Sequence, residues 1–174
     1  MKKFIKVIIL LMIIFSTTTY YRVISFDYQV SKVVRLNDAT DETINKIFEM
    51  STYYIPLEKV LVKYYQSKNI NQHDCNLLSG YTDKLLLINP RSSQAFFIKS
   101  VCSEKIGDLN SALDSAYSAL KFDNFNTTYL LTIAILQFNL GDITQAQDYV
   151  NLIEKIDPNT NNLNIIKEAI ANSN

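Results

Sequence analysis

Tryptophan is absent from the 174 residues, and histidine occurs once, at His73. Glycine and proline occur three times each, and cysteine twice. So few turn residues exclude a many-stranded β protein, whose hairpins draw heavily on Gly and Pro. One histidine and two distant cysteines, Cys75 and Cys102, fall short of the three or four converging ligands of a zinc site. A Ser-His-Asp or Cys-His arrangement must use His73, and no G-x-S-x-G, Walker or Rossmann glycine pattern accompanies it. Neither enzymatic chemistry nor a cofactor or metal is therefore expected. A charge excess is missing too: 17 Lys and Arg face 17 Asp and Glu. A nucleic-acid partner calls for a basic excess, so none is expected, and neither is a small-molecule ligand. What is present is 48% hydrophobic and 20% charged sequence, the composition of an ordered, helical chain.

The first segment stands apart. Lys2, Lys3 and Lys6 precede the apolar run Val7 to Phe15, followed by Ser16, Thr17, Thr18, Thr19, Tyr20, Tyr21 and Arg22. A basic start and an apolar middle mark an export signal. The stretch contains no alanine to build an A-x-A cleavage site, so an uncleaved transmembrane anchor over residues 1–22 is expected in preference to secretion after cleavage. Phe4 and Ile5 extend the span if Lys6 snorkels, and Tyr20 and Tyr21 suit the far interface. The positive-inside rule keeps the lysines in the cytoplasm, which makes the protein a single-pass inner-membrane protein with an extracytoplasmic C-terminal domain. Without the four basic residues of 1–22, the remainder has 13 basic and 17 acidic residues, a net charge of −4. Residues 23–40 are expected to be a linker or an extension of the helix, and Asp38-Ala-Thr-Asp41 a helix cap.

The rest repeats itself every 34 residues. Gly107-Asp108 aligns with Gly141-Asp142, Ala112 with Ala146, Ile106 with Leu140 and Phe122 with Ile156. Pro56, Pro90 and Pro158 fall on the same frame, with Asn124 in the gap. The glycines suit a left-handed helix end, and the aspartates suit the first amides of the next helix. Ala112, Ala116 and Ala119 give one helix a small-residue side that permits close packing. Helix pairs of this kind cannot bury their apolar faces alone and must stack. Helices are expected at about 41–53, 57–68, 73–88, 92–106, 109–121, 126–140, 143–155 and 161–172.

In these motifs the chain resembles the tetratricopeptide (TPR) repeat, most closely over residues 93–126 and 127–160 within a repeat domain of residues 41–174, with 161–174 as a capping helix. The resemblance implies an all-α fold: a short right-handed superhelical array of antiparallel helix pairs after the anchor. It also implies a concave groove, lined by the first helix of each pair, that binds a protein partner. The corresponding residues are Lys63, Tyr64 and Ser67, then Gln94, Phe97, Val101 and Glu104, then Leu131, Ile135 and Phe138. Family members that clamp a peptide carboxylate carry Lys, Asn and Arg in the groove. Here Phe97, Val101, Leu131 and Ile135 occupy those places, so an apolar or amphipathic helical segment is the expected partner. These residues also have a plainer role open to them, as packing for the neighbouring or closing helix. The segment Tyr21 to Tyr28 followed by repeats is loosely similar to the tail of O-antigen ligase and polymerase-type membrane proteins. That similarity implies an accessory tail of a glycosyltransferase system as the alternative function. Cys75 and Cys102 are expected as two buried thiols.

Overall fold

The computed structural model describes residues 2–36, 39–50 and 54–173, which hold nine helices and no strand. They form two compact units, Met1–Ser67 and Lys68–Asn174.

The first unit contains α1 (Lys2–Leu36), α2 (Asp41–Met50) and α3 (Tyr54–Ser67). Helix α1 does not stop at residue 22. No glycine or proline interrupts it, and at 1.5 Å per residue its 35 residues extend about 52 Å. Its two halves differ. Val7 through Phe15 are all exposed, whereas Val33 is completely buried where α1 packs against α2 and α3. The far half thus belongs to a small core with Ile44, Ile47, Phe48, Leu57, Val60 and Leu61, each at most 3% exposed. Residues 23–36 are the helical extension rather than a linker, and α2 and α3 are built around their end.

The near half carries hydroxyls that the helix satisfies itself. Ser16 and Thr17 donate to the Ile13 carbonyl at 2.9 and 3.0 Å, Thr18 to Ile14 at 3.0 Å and Thr19 to Phe15 at 2.8 Å. Such back-bonding removes the cost of placing hydroxyls in an apolar medium. By length and composition α1 is able to cross a membrane, and its apolar stretch is nowhere buried by protein.

Of the expected cap, Asp38 lies outside the described residues, as do positions 51–53 of the expected helix 41–53. Thr40 does the capping: its hydroxyl accepts from the Thr43 amide at 3.3 Å and its carbonyl from the Ile44 amide at 3.0 Å. Helix α3 begins at Tyr54, so Pro56 sits in its first turn rather than ahead of it, at a place where a missing amide hydrogen costs nothing.

The second unit runs α4 (Gln72–Ile88), α5 (Ser93–Lys105), α6 (Leu109–Phe122), α7 (Thr127–Asn139), α8 (Ile143–Ile156) and α9 (Leu163–Ser173). Each helix packs on the next, and α9 also reaches α7. The two Gly-Asp turns are built alike. Gly107 and Gly141 both lie at φ +86°, in the left-handed region. The Asp108 amide reaches back to the Ser103 carbonyl at 3.0 Å and the Gly107 amide to Glu104 at 2.9 Å; Asp142 and Gly141 do the same to Gln137 and Phe138 at 2.9 and 3.0 Å. These bonds satisfy carbonyls that the helix end leaves open. The same aspartates then cap the following helices, accepting from Ser111 and Gln145 amides at 3.1 and 3.0 Å. One residue thus closes one helix and opens the next, which explains a turn of three residues.

Small residues sit between the helices, the alanines of the repeat, Ala112, Ala116, Ala119 and Ala146, among them. Ala95, Ala112, Ala116, Ala119, Ala134 and Ala146 have no exposed surface. Ala112 and Ala116 on α6 meet Ile133 and Leu136 on α7, and Leu130, Leu131 and Ala134 on α7 join Ala146, Val150 and Ile153 on α8 with Leu163, Ile166 and Ile170 on α9. Helix α9 is therefore the closing element the array requires.

A candidate partner-binding face

The residues expected to line a groove fall in both units, and each unit has its own outcome. In the first unit Lys63 and Ser67 are exposed, and the Ser67 hydroxyl donates to the Tyr64 carbonyl at 2.8 Å. Tyr64 corrects the expectation: it has no exposed surface, and its hydroxyl donates to Asp41 Oδ1 at 2.8 Å. Leu57, Val60, Leu61 and Tyr64 recur at helical spacing and turn one face of α3 inward, with the phenol tip reaching the first residue of α2. Tyr64 is a packing residue that ties two helices together.

In the second unit α5 and α7 are the first helices of their pairs. On α5, Gln94, Phe97, Val101 and Glu104 are all half-buried and share one side of the helix. The Phe97 ring lies 5.1 Å from that of Tyr129 on α7, tilted by 31°. Tyr129 is 2% exposed, so the pair makes an aromatic floor between the two helices. Sequence reasoning missed Tyr129; the spacing of 32 residues to Phe97 gives no local signal.

On α7 the stripe is partly spoken for. Leu131 is buried within the cluster that α9 completes, and Ile135 and Phe138 pack against its edge. The closing helix therefore covers much of what α7 would offer a partner. Its own Ile166 and Ile170 need that cover as much as Leu131 does. An ion pair between Lys167 and Glu154 holds α9 on α8.

Polar contacts also join these helices. Buried Gln137 donates to the Tyr117 hydroxyl at 2.8 Å and to Gln145 Oε1 at 3.3 Å. Burial, followed by the Tyr117 hydroxyl, pushes Tyr149 up to about 12. This network bonds α6, α7 and α8 to one another. On α4 and α5, Lys99 meets Asp83 at 2.7 Å. Among the described residues no group of three His, Cys, Asp or Glu side chains converges as metal ligands, and His73 is an exposed residue in the first turn of α4.

No family model matches the chain, and no curated protein matches its sequence. Solved structures do match. The Yersinia enterocolitica type III secretion chaperone SycD, crystallised with a peptide of the translocator YopD, aligns with TM-score 0.52 at 15% identity over 67% of this chain and 85% of its own. MamA aligns with TM-score 0.59 at 14% identity over 79% of this chain and 73% of its own. YrrB, described as a TPR protein with an unusual peptide-binding site, aligns with TM-score 0.52 at 12% identity over 87% and 86%. The fold is TPR-like. At these identities the likeness establishes the fold alone. The looser similarity to an O-antigen ligase tail finds no support in these TPR-like neighbours.

Proposed function

We propose that this protein is a membrane-anchored, non-enzymatic TPR-like scaffold that binds an apolar or amphipathic segment of a partner protein on the α5 side of its repeat unit, outside the cytoplasm. The observation that carries the binding role is the half-buried stripe of Gln94, Phe97, Val101 and Glu104, set over the Phe97–Tyr129 floor and lacking a clamp of basic residues. An apolar centre flanked by one amide and one carboxylate suits the hydrophobic face of a helix with polar edges. SycD and YrrB, whose folds are similar, are described with a translocator peptide and a peptide-binding site. Helix α1 supports the anchor, with exposed Val7 to Phe15 and self-satisfied Ser16 to Thr19. The orientation rests on Lys2, Lys3 and Lys6 remaining cytoplasmic. Ile135 and Phe138 remain as the wider margin of the proposed surface, and Lys63 and Ser67 belong to the other unit.

The test is site-specific photo-crosslinking in membranes. A crosslinker in place of Val101 is expected to give a discrete adduct, and one in place of exposed Leu152 on α8 none. Phe97→Ala combined with Ile135→Glu is expected to abolish the adduct while helical circular dichroism persists. With the crosslinker moved to Gln94, the single exchange Val101→Glu, which leaves the floor intact, also abolishes the adduct. An adduct that survives Val101→Glu in a folded protein overturns the reading.

A further inference from the structure

The two cysteines lie 27 positions apart in sequence but face each other across two packed helices. Cys75 sits in the first turn of α4 and Cys102 in the last turn of α5, and both are buried and unbridged. Cys75 is a close enough neighbour to act on the Cys102 thiol. Together with Asn76, Leu78, Ile98, Lys99 and Ile106 they line a cavity of about 100 Å³. Asn76 and Ile106 in its lining are exposed, so the cavity gives a reagent a way to the two thiols. It lets sulfur atoms move toward each other and admits part of a small reagent.

We infer that Cys75 and Cys102 are a thiol pair poised to close into a disulfide that locks α4 to α5. The oxidant is an external disulfide, of a small thiol or of an oxidoreductase. One cysteine attacks it, forms a mixed disulfide and releases one thiol. The second cysteine attacks the mixed disulfide and releases the other thiol. Two protein S–H bonds and one external S–S bond are exchanged for one protein S–S bond and two external S–H bonds, and the protons leave on the released thiols. Burial, and after it the neighbouring Cys75, holds Cys102 as a thiol above the ordinary cysteine range. The consequence is mechanical. Helix α5 carries Phe97 and Val101, and Cys102 directly follows Val101. A bridge there clamps the proposed binding stripe to the helix behind it, although the bridge itself stands on the α4–α5 geometry alone.

The test is equilibration of the full chain in detergent with reduced and oxidised glutathione. Intact mass and thiol alkylation read the state of the cysteines. The expected result is a monomer lighter by two hydrogens, absent in Cys75→Ser and in Cys102→Ser. The effective concentration of the pair should exceed that in the urea-unfolded chain by roughly tenfold or more, because folding holds the sulfurs together. The oxidised form should keep its helical circular dichroism and unfold at a higher urea concentration than the dithiol form. Failure to form the bridge, formation of intermolecular dimers or glutathione adducts alone, an effective concentration no higher than in urea, or a less stable oxidised form would each overturn the inference.

Discussion

Three glycines offer a prediction in which the same substitution has opposite effects. At Gly107, Gly141 and Gly80 an added methyl group meets nothing within 4 Å, so replacement by alanine has no steric component. What differs is the backbone. Gly107 and Gly141 sit at φ +86°, where an L-residue is strained by roughly 1–2 kcal/mol. Reduced freedom of the unfolded chain offsets about 0.4–1 kcal/mol of that. Gly107→Ala and Gly141→Ala should each destabilise the repeat unit by about 1 kcal/mol. Gly80 lies inside α4, where alanine is favoured over glycine by about 0.5–1 kcal/mol. Gly80→Ala should therefore stabilise. The gap between the two outcomes is about 1.5–2 kcal/mol, around tenfold or more in the folding equilibrium. Urea titration followed by circular dichroism resolves it. With an m-value of about 1–3 kcal/mol/M, each turn variant shifts its midpoint down by roughly half a molar and Gly80→Ala shifts it up. If Gly107→Ala and Gly80→Ala move in the same direction, the assignment of the Gly-Asp turns as left-handed helix ends is wrong.

Other outcomes follow from single contacts. Tyr64→Phe removes the bond to Asp41 from a fully buried ring and should cost about 1–2 kcal/mol in urea titration, with photo-crosslinking from position 101 unchanged. Ile133→Ala opens a cavity against Ala112 and Ala116 and should cost about 2–5 kcal/mol, with the loss smaller if the helices close over it. Asp108 carries a pH signature: the Ser111 side chain, then its amide, hold the Asp108 carboxyl below its ordinary 3.8. Its contribution is therefore complete above the unfolded value and is lost as pH falls through the folded one. The stability difference between the natural chain and Asp108→Ala should be constant near neutral pH and shrink below about pH 4. Asp108→Asn, which keeps the cap without the charge, should show no such decline. Finally, carbonate-washed membranes should retain the chain at its full 20.0 kDa; a shorter soluble form would remove the anchor.

Much of this architecture is local, and local order is written in short stretches of chain. Gly107-Asp108 and Gly141-Asp142 announce both the end of one helix and the start of the next, because every hydrogen bond involved spans five residues or fewer. The alanines at 112, 116 and 119 announce a close helix contact for the same reason: a helix repeats every three to four residues, whatever it meets. The apolar run after Lys6 likewise shows itself without a fold. Depth is another matter. Nothing near Tyr64 says that Asp41, 23 residues earlier, takes its hydroxyl. Nothing near Leu131 says that a helix beginning at Leu163 will cover it, or that the Phe97 ring finds Tyr129. An apolar residue on an inner helix reads alike whether it meets a partner or its own chain, since periodicity reports which way a side chain faces and not what lies opposite. The 34-residue frame, the turns and the caps were therefore set by residues within a turn or two of each other. The extent of the open stripe on α5, the cover over α7 and the meeting of Cys75 with Cys102 were decided only when distant helices packed, because burial is a property of pairs of surfaces.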